Sequence, residues 1–206
     1  MFFKRKDRVK VNNAGLSLVE LVVIMAIMAV MLGTAGISMS LLSGAEAKQA
    51  AQKLVAVLND TKTGNFTRAG EELVVRYITT SDDWAKKGVD KSGYYADKCI
   101  YTIMNDAQIK QLYSNDHEYN MLGKKKVTIK IYTSSGDYTL SNAGSDAVRI
   151  SFDRKTGAFK DLEYGNVDAD GNFSGSSVGK LSKIEFMCGV KTYTLTVNSD
   201  LGTYSL

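Results

Sequence analysis

Proline is absent from all 206 residues, and with it any ring-enforced break in a helix. Histidine occurs once, as His117, and cysteine twice, as Cys99 and Cys188. A zinc site or a histidine-based triad therefore has too few parts to be assembled. His117 sits in Ser114-Asn115-Asp116-His117-Glu118 and reads as a solvated loop residue. No glycine-rich phosphate loop and no nucleophile elbow occurs. Charge, too, is missing over a long stretch, since Leu21 to Ala45 carries none. These gaps argue against an enzyme and direct attention to the N-terminal fifth of the chain.

There the residues are distinctive. Lys4, Arg5, Lys6, Arg8 and Lys10, offset only by Asp7, precede Gly15-Leu16-Ser17-Leu18-Val19-Glu20, and the uncharged run follows. Of 26 basic and 22 acidic side chains in the chain, residues 1–15 hold five and one, leaving 21 of each beyond Gly15. The net charge of +4 is thus a property of the leader and gives no support for a nucleic-acid surface. By the positive-inside rule it places 1–15 in the cytoplasm. The segment from Leu16 to Leu42 exceeds the roughly 20 residues needed to cross a bilayer, and a transmembrane helix over about 16–42 is expected. Beyond it Ala47, Ala51, Leu54 and Leu58 recur at helical spacing among Lys48, Gln49, Gln52 and Lys53. The pattern predicts one helix from Leu16 to Leu58, amphipathic in its second half, ending near Asn59-Asp60 and by Gly64. A secretory signal cut at Ala45-Glu46-Ala47 is disfavoured because its apolar region is about twice the usual 7–15 residues.

The leader, Gly15, Glu20 and the apolar run together resemble the class III leader of type IV prepilins and of the pseudopilins of type II secretion and competence systems. The resemblance implies cleavage after Gly15 by a prepilin peptidase/N-methyltransferase, methylation of Leu16, and a mature residue five at Glu20. In that family the glutamate meets the terminal amine of a neighbouring subunit and sets register. It further implies other pilin or pseudopilin subunits, an assembly platform and an ATPase as partners. The implied location is that of a single-pass cytoplasmic membrane protein with an extracytoplasmic C-terminal domain, extracellular once assembled into a filament. The chain departs from the family in having Leu16 where phenylalanine is common, and in lacking the proline that bends many pilin helices. Gly33 and Gly36 stand as weaker soft spots.

From Glu71 onward the periodicity is mostly two. Val127, Ile129 and Ile131 alternate with polar residues, as do Val148, Ile150 and Phe152, then Ile184, Phe186 and Cys188, then Tyr193, Leu195 and Val197. Glu71 to Thr80 and Cys99 to Met104 are further strand candidates. Ser81 to Lys98 and Asn105 to Lys126 read as loops, with a short helix at Asp106 to Tyr113. Turn clusters stand at Asp153-Arg154-Lys155-Thr156-Gly157 and Asn198-Ser199-Asp200-Leu201-Gly202. The expected fold is α+β: a long N-terminal helix, membrane-spanning in its first half, packed on an antiparallel β-meander head. Its divisions are a leader 1–15, a helix 16–60 and a head 61–206. The last third, with Val148 to Gly157 and the closing strand Thr192 to Val197, is similar to minor pilins and H-type pseudopilins.

Three further features leave alternatives open. Cys99 and Cys188 allow either a disulfide or two buried thiols. Asn166, Asp168 and Asp170, with Gly171, match the first half of a calcium loop, but Ser177 stands where the twelfth-position glutamate belongs; a plain hairpin connection is the stronger reading, and no cofactor is required. Lys124-Lys125-Lys126 is a charged turn, with nucleic acid an unfavoured partner. Trp84, near Tyr94 and Tyr95, is undecided between contact and core. The sequence supports a structural filament subunit; the competing class is a membrane-anchored extracellular binding domain that does not polymerise.

Overall fold

The computed structural model describes residues 17–67, 71–79, 89, 91–100, 117–142, 144–168 and 173–206, with backbone alone at 34–43, 100 and 117. Helix α1 covers Leu18–Thr67. The chain divides into two compact units, Met1–Met39 and Ser40–Leu206, so the division falls inside the helix and not at residue 60.

In the second unit the expected architecture is overturned. Eleven strands among the described residues form two antiparallel sheets, and strand, not helix, dominates. They are β1 (Glu71–Ile78), β2 (Gly93–Ile100), β3 (His117–Gly123), β4 (Thr128–Thr133), β5 (Asp137–Thr139), β6 (Asp146–Ser151), β7 (Glu163–Val167), β8 (Phe173–Ser177), β9 (Leu181–Cys188), β10 (Lys191–Asn198) and β11 (Thr203–Ser205). Sheet A runs β3-β2-β1-β6-β7-β8 and sheet B runs β11-β10-β9-β4-β5. This is not a meander. The chain leaves sheet A after β3, returns at β6, and leaves again after β8. Among the described side chains of the helix, those of 17–33 are exposed and the buried ones run from Gly44 onward. No helix among the described residues is long and apolar enough to cross a membrane, so the single-pass location drawn from the sequence is not supported.

One cluster forms the main core. Ala47, Ala50, Ala51, Leu54, Val57 and Leu58 of α1 meet Leu73 and Val75 of β1, Val148 and Ile150 of β6, and Ile184, Phe186 and Leu195 of sheet B. Small residues on the helix stripe allow close approach: Gly123, before β4, lies against Ala50. The alternating apolar sets at 127–131, 148–152 and 184–188 are all buried, and of the set at 193–197 Leu195 and Val197 are buried while Tyr193 is half-buried against the core.

The helix outruns its expected end by about two turns. Thr61, Thr63 and Thr67 each return a hydroxyl to a carbonyl one turn back, Asp60 is held by Lys98 at 2.5 Å, and Asn65 donates to the Phe152 carbonyl at 2.8 Å. Gly64 is not a stop. A Cβ there would run into the Glu71 carboxylate, so glycine serves close packing. The expected loops are also corrected, since β2 occupies the end of the first and β3 lies in the second. Of the expected strand Cys99 to Met104, Cys99 and Ile100 close β2 and 101–104 lie outside the described residues. The proposed helix at 106–113 and Trp84 lie outside the described residues.

Candidate functional site

The start of α1 is built by two side chains. The Ser17 backbone N–H donates to Glu20 Oε2 at 2.9 Å, and the Glu20 N–H donates to Ser17 Oγ at 3.3 Å. The Leu21 N–H reaches the Ser17 carbonyl at 3.1 Å, closing the first turn. This reciprocal arrangement is a capping box, with serine at the N-cap and glutamate three residues on. It satisfies two backbone donors that a helix start otherwise leaves bare, and it sets a carboxylate at the positive end of the helix dipole. The pattern S-x-x-E was visible in the sequence, but the resemblance drew attention to Glu20 as an assembly group and away from its local duty.

Beyond the cap, Leu18, Val19, Leu21, Val22, Val23, Ile24, Met25 and their successors to Leu32 are exposed. They cover every side of the helix, so no single stripe is reserved for a partner within the chain. In the second unit, by contrast, one stripe is buried, from Gly44 through Ala47 to Leu58 and on to Thr61 and Asn65, while Lys48, Gln49, Gln52 and Lys53 face outward. Gly15, Leu16 and the leader 1–15 lie outside the described residues.

The two cysteines are not bridged to one another. Cys99 belongs to the face of sheet A turned away from the main core, with Val74, Ala147 and Val167. Cys188 lies in sheet B on the helix side, its Sγ 3.8 Å from Glu46 Oε2. Both are buried thiols, and the disulfide alternative is corrected accordingly. Burial, reinforced by the Asp97 carboxylate, pushes the Cys99 thiol far up, which leaves it protonated and a poor nucleophile.

The described residues cover the calcium reading only in part. Asn166 is a ladder residue of β7, opposite Ser174 and Asp146, and its Oδ1 accepts from Ser145 Oγ at 3.2 Å. Asp168 follows the strand and Asp170 lies outside the described residues. Among the described residues no group of three or more His, Cys, Asp or Glu could hold a metal. His117 opens β3 and is not a loop residue.

What the sequence did not reveal is a set of buried charges in sheet A. Arg76 and Asp97 pair at 3.4 Å with both side chains at or below 5 % exposure. Burial lowers the Arg76 guanidinium's pKa and the facing Asp97 carboxylate partly restores it. Burial pushes the neighbouring Tyr119 phenol up, and Asp97 adds to this. Lys98, on the opposite face, bridges Asp60 of α1 and Glu118 of β3, at 2.5 and 2.9 Å. Burial depresses its ammonium, and the bonds to these carboxylates more than offset that, for a net upward shift. Arg149 ties Glu72 to Glu163 across β1, β6 and β7. These groups cross-link strands; each has its partner in the fold, and none is arranged as nucleophile and base.

Comparison with family models, with curated proteins and with solved structures returns no match to this chain, so its residues alone carry the functional argument.

Proposed function

We propose that the chain is a structural subunit of a type IV pilus-like filament or of a secretion or competence pseudopilus. It is a minor subunit of the assembly, cut after Gly15, methylated on Leu16 and packed against sister subunits through the first part of α1. Its role is mechanical and not catalytic. The observation that carries this reading is the exposed, all-round apolar surface from Leu18 to Leu32, interrupted by one carboxylate at Glu20. Apolar surface of that extent calls for cover, and a helix without a preferred face is suited to being surrounded by copies of itself. Partners of the proposal are the prepilin peptidase/N-methyltransferase, other pilin subunits, and the assembly platform with its ATPase.

Glu20 has two duties in this scheme. Before assembly it caps its own helix through the Ser17 amide. In hydrocarbon an isolated carboxylate costs about 2.5–3.5 kcal/mol at mid-helix and less near an end, and a bundle of apolar helices is a comparably dry setting. An ammonium on Leu16, made by cleavage, offsets that cost when it comes from a neighbour.

Two measurements test the proposal. Intact mass and N-terminal sequencing should find a methyl-leucine start at residue 16; a retained leader overturns the reading. Glu20→Ala should leave the head folded and strongly reduce crosslinking of subunits into filaments. Glu20→Gln separates the two duties, because glutamine still completes a capping box but carries no charge. Loss of assembly in both variants supports charge pairing, whereas assembly at the parental level in Glu20→Gln refutes it.

A further inference from the structure

Six lysines gather at one end of the head. The register places Thr128 of β4 opposite Met187 of β9, which in turn faces Thr192 of β10. The Lys124-Lys125-Lys126 turn before β4 and the Gly189-Val190-Lys191 turn between β9 and β10 therefore share one end of sheet B. The first packed turns of α1 sit there as well. Gly44 lies against the Lys191 side chain and Ala50 against Gly123, and Lys53 and Lys124 line one small cavity of about 120 Å³. Lys48, Lys53, Lys124, Lys125, Lys126 and Lys191 are all exposed.

Their electrostatics differ from those of four other lysines of the head. Lys98, Lys130, Lys180 and Lys183 each hold a carboxylate, whereas none of these six forms an ion pair among the described residues. Among the described residues Glu46 lines the small cavity with Lys53 and Lys124 and lies beside Cys188. Asp146 and Asp168 stand at the same end of sheet A but on β6 and beyond β7, three to four strands from β3. At about 4.8 Å per strand that separation is roughly 14–19 Å, beyond the screening length of about 8 Å at physiological salt.

The chemistry of the patch narrows its partner. Among the described residues it contains no arginine fork for bidentate phosphate recognition and no fully exposed aromatic ring on which a base could stack. It does contain an apolar tip, Val190, 86 % exposed amid the ammonium groups. Mobile point charges around a protruding aliphatic side chain suit a diffuse anionic interface better than a nucleic-acid strand. We infer that this end of the head docks peripherally on an anionic lipid surface, with lysines on the headgroups and Val190 at the acyl boundary. No segment crosses the bilayer in this contact, and it does not depend on the filament proposal.

The test is flotation of the full chain with vesicles of phosphatidylcholine alone or with about 30 mol % phosphatidylglycerol, at low salt. Because the exposed apolar helix binds both vesicles, the ratio of the two partition constants reads the lysines. That ratio should be tenfold or more, and should collapse toward one near 0.5 M salt, roughly, as screening takes hold. The triple variant Lys124→Gln, Lys125→Gln, Lys126→Gln should lower it by about tenfold or more, given that each lysine near such a surface is worth about fivefold. Its melting temperature should not change, since these side chains sit in an exposed turn. Lys155→Gln with Lys160→Gln, elsewhere on the head, should leave the ratio unaltered. A wild-type ratio near one, or a triple variant that keeps the wild-type ratio, overturns the inference. So does displacement from anionic vesicles by duplex DNA at charge-equivalent concentration, which would assign the patch to nucleic acid.

Discussion

Sheet B and sheet A solve the same packing problem with different chemistry. In sheet B the strands alternate cleanly: β9 buries Leu181, Ile184, Phe186 and Cys188 and turns the residues between them outward or to a half-exposed position. Its charged residues stay on the outer face, where Lys183 and Glu185 pair beside Tyr132. In sheet A, β1 is buried on both sides, with Leu73, Val75 and Tyr77 toward the helix and Val74, Arg76 and Ile78 away from it. A strand buried on both faces loses its alternation, and here one buried position is an arginine that must carry its own counter-charge. Sheet B is held by shape, sheet A by shape plus desolvated charge.

Substitutions sharpen that contrast. The largest loss in sheet B should follow Phe186→Ala, fully buried at the centre of the core, at about 3–5 kcal/mol by urea unfolding. In sheet A, Asp97→Ala should cost a comparable 3–5 kcal/mol, roughly, because it strands the Arg76 guanidinium in a dry site. The revealing experiment is the double replacement Arg76→Met with Asp97→Leu. If the pair serves specificity more than stability, this variant should regain most of the loss, whereas no second substitution on the polar outer face of sheet B should rescue Phe186→Ala. A double variant as unstable as Asp97→Ala would mean that sheet A needs the ion pair itself.

A smaller effect is confined to alkaline pH. Burial, with Tyr77 beside it, pushes the Tyr94 phenol up to about 12 from 10.0, and its O–H donates to the Leu140 carbonyl at 3.0 Å. The folded chain thus holds a proton that the unfolded chain releases. The contribution is whole below pH 10 and is lost as pH rises through about 12, amounting to on the order of 2–3 kcal/mol. Tyr94→Phe should cost about 1 kcal/mol at neutral pH for the lost hydrogen bond and flatten the stability profile between those limits. At the bottom of the scale, Lys180→Gln breaks an exposed pair with Asp200 and should leave the melting temperature unchanged.

The same contrast governs how far the sequence could be read. The apolar alternations at 127–131, 148–152, 184–188 and 193–197 marked core-facing strand faces, with Tyr193 half-buried and the rest buried, although β6 also buries Ala147 on its other face. Strand β2 stayed hidden inside an expected loop. Its Gly-Tyr-Tyr-Ala-Asp-Lys-Cys-Ile segment looks polar until Asp97 is known to face Arg76 and Lys98 to face Asp60 and Glu118. Strands β5, β8 and β11 are short edge or near-edge pieces with little buried surface, so they left no periodic trace. Helix α1 outran its expected end because tertiary bonds at Asp60 and Asn65 outweigh local stop signals. The arrangement into two sheets was not legible at all, since β4 pairs with a strand some fifty residues further along and nothing local encodes that choice. Of the candidate site, the S-x-x-E cap was readable from spacing alone, whereas the lysine end of the head required knowledge of which turns lie side by side.

The position of β9 between β4 and β10 sets a clock on biogenesis. A ribosome delivers the Ala47–Leu58 stripe first and the strands that cover it, Leu181–Cys188 and Lys191–Asn198, almost last. At roughly 5–20 residues per second the interval is on the order of ten seconds. Throughout it the nascent stripe lacks the sheet B half of its native cover, having β1 and β6 alone, and β4 lacks its central neighbour. Nascent chains arrested before β9 emerges should therefore be protease-sensitive over β4 and β5, which await β9, and escorting this intermediate becomes a task for whatever receives the chain as it is made.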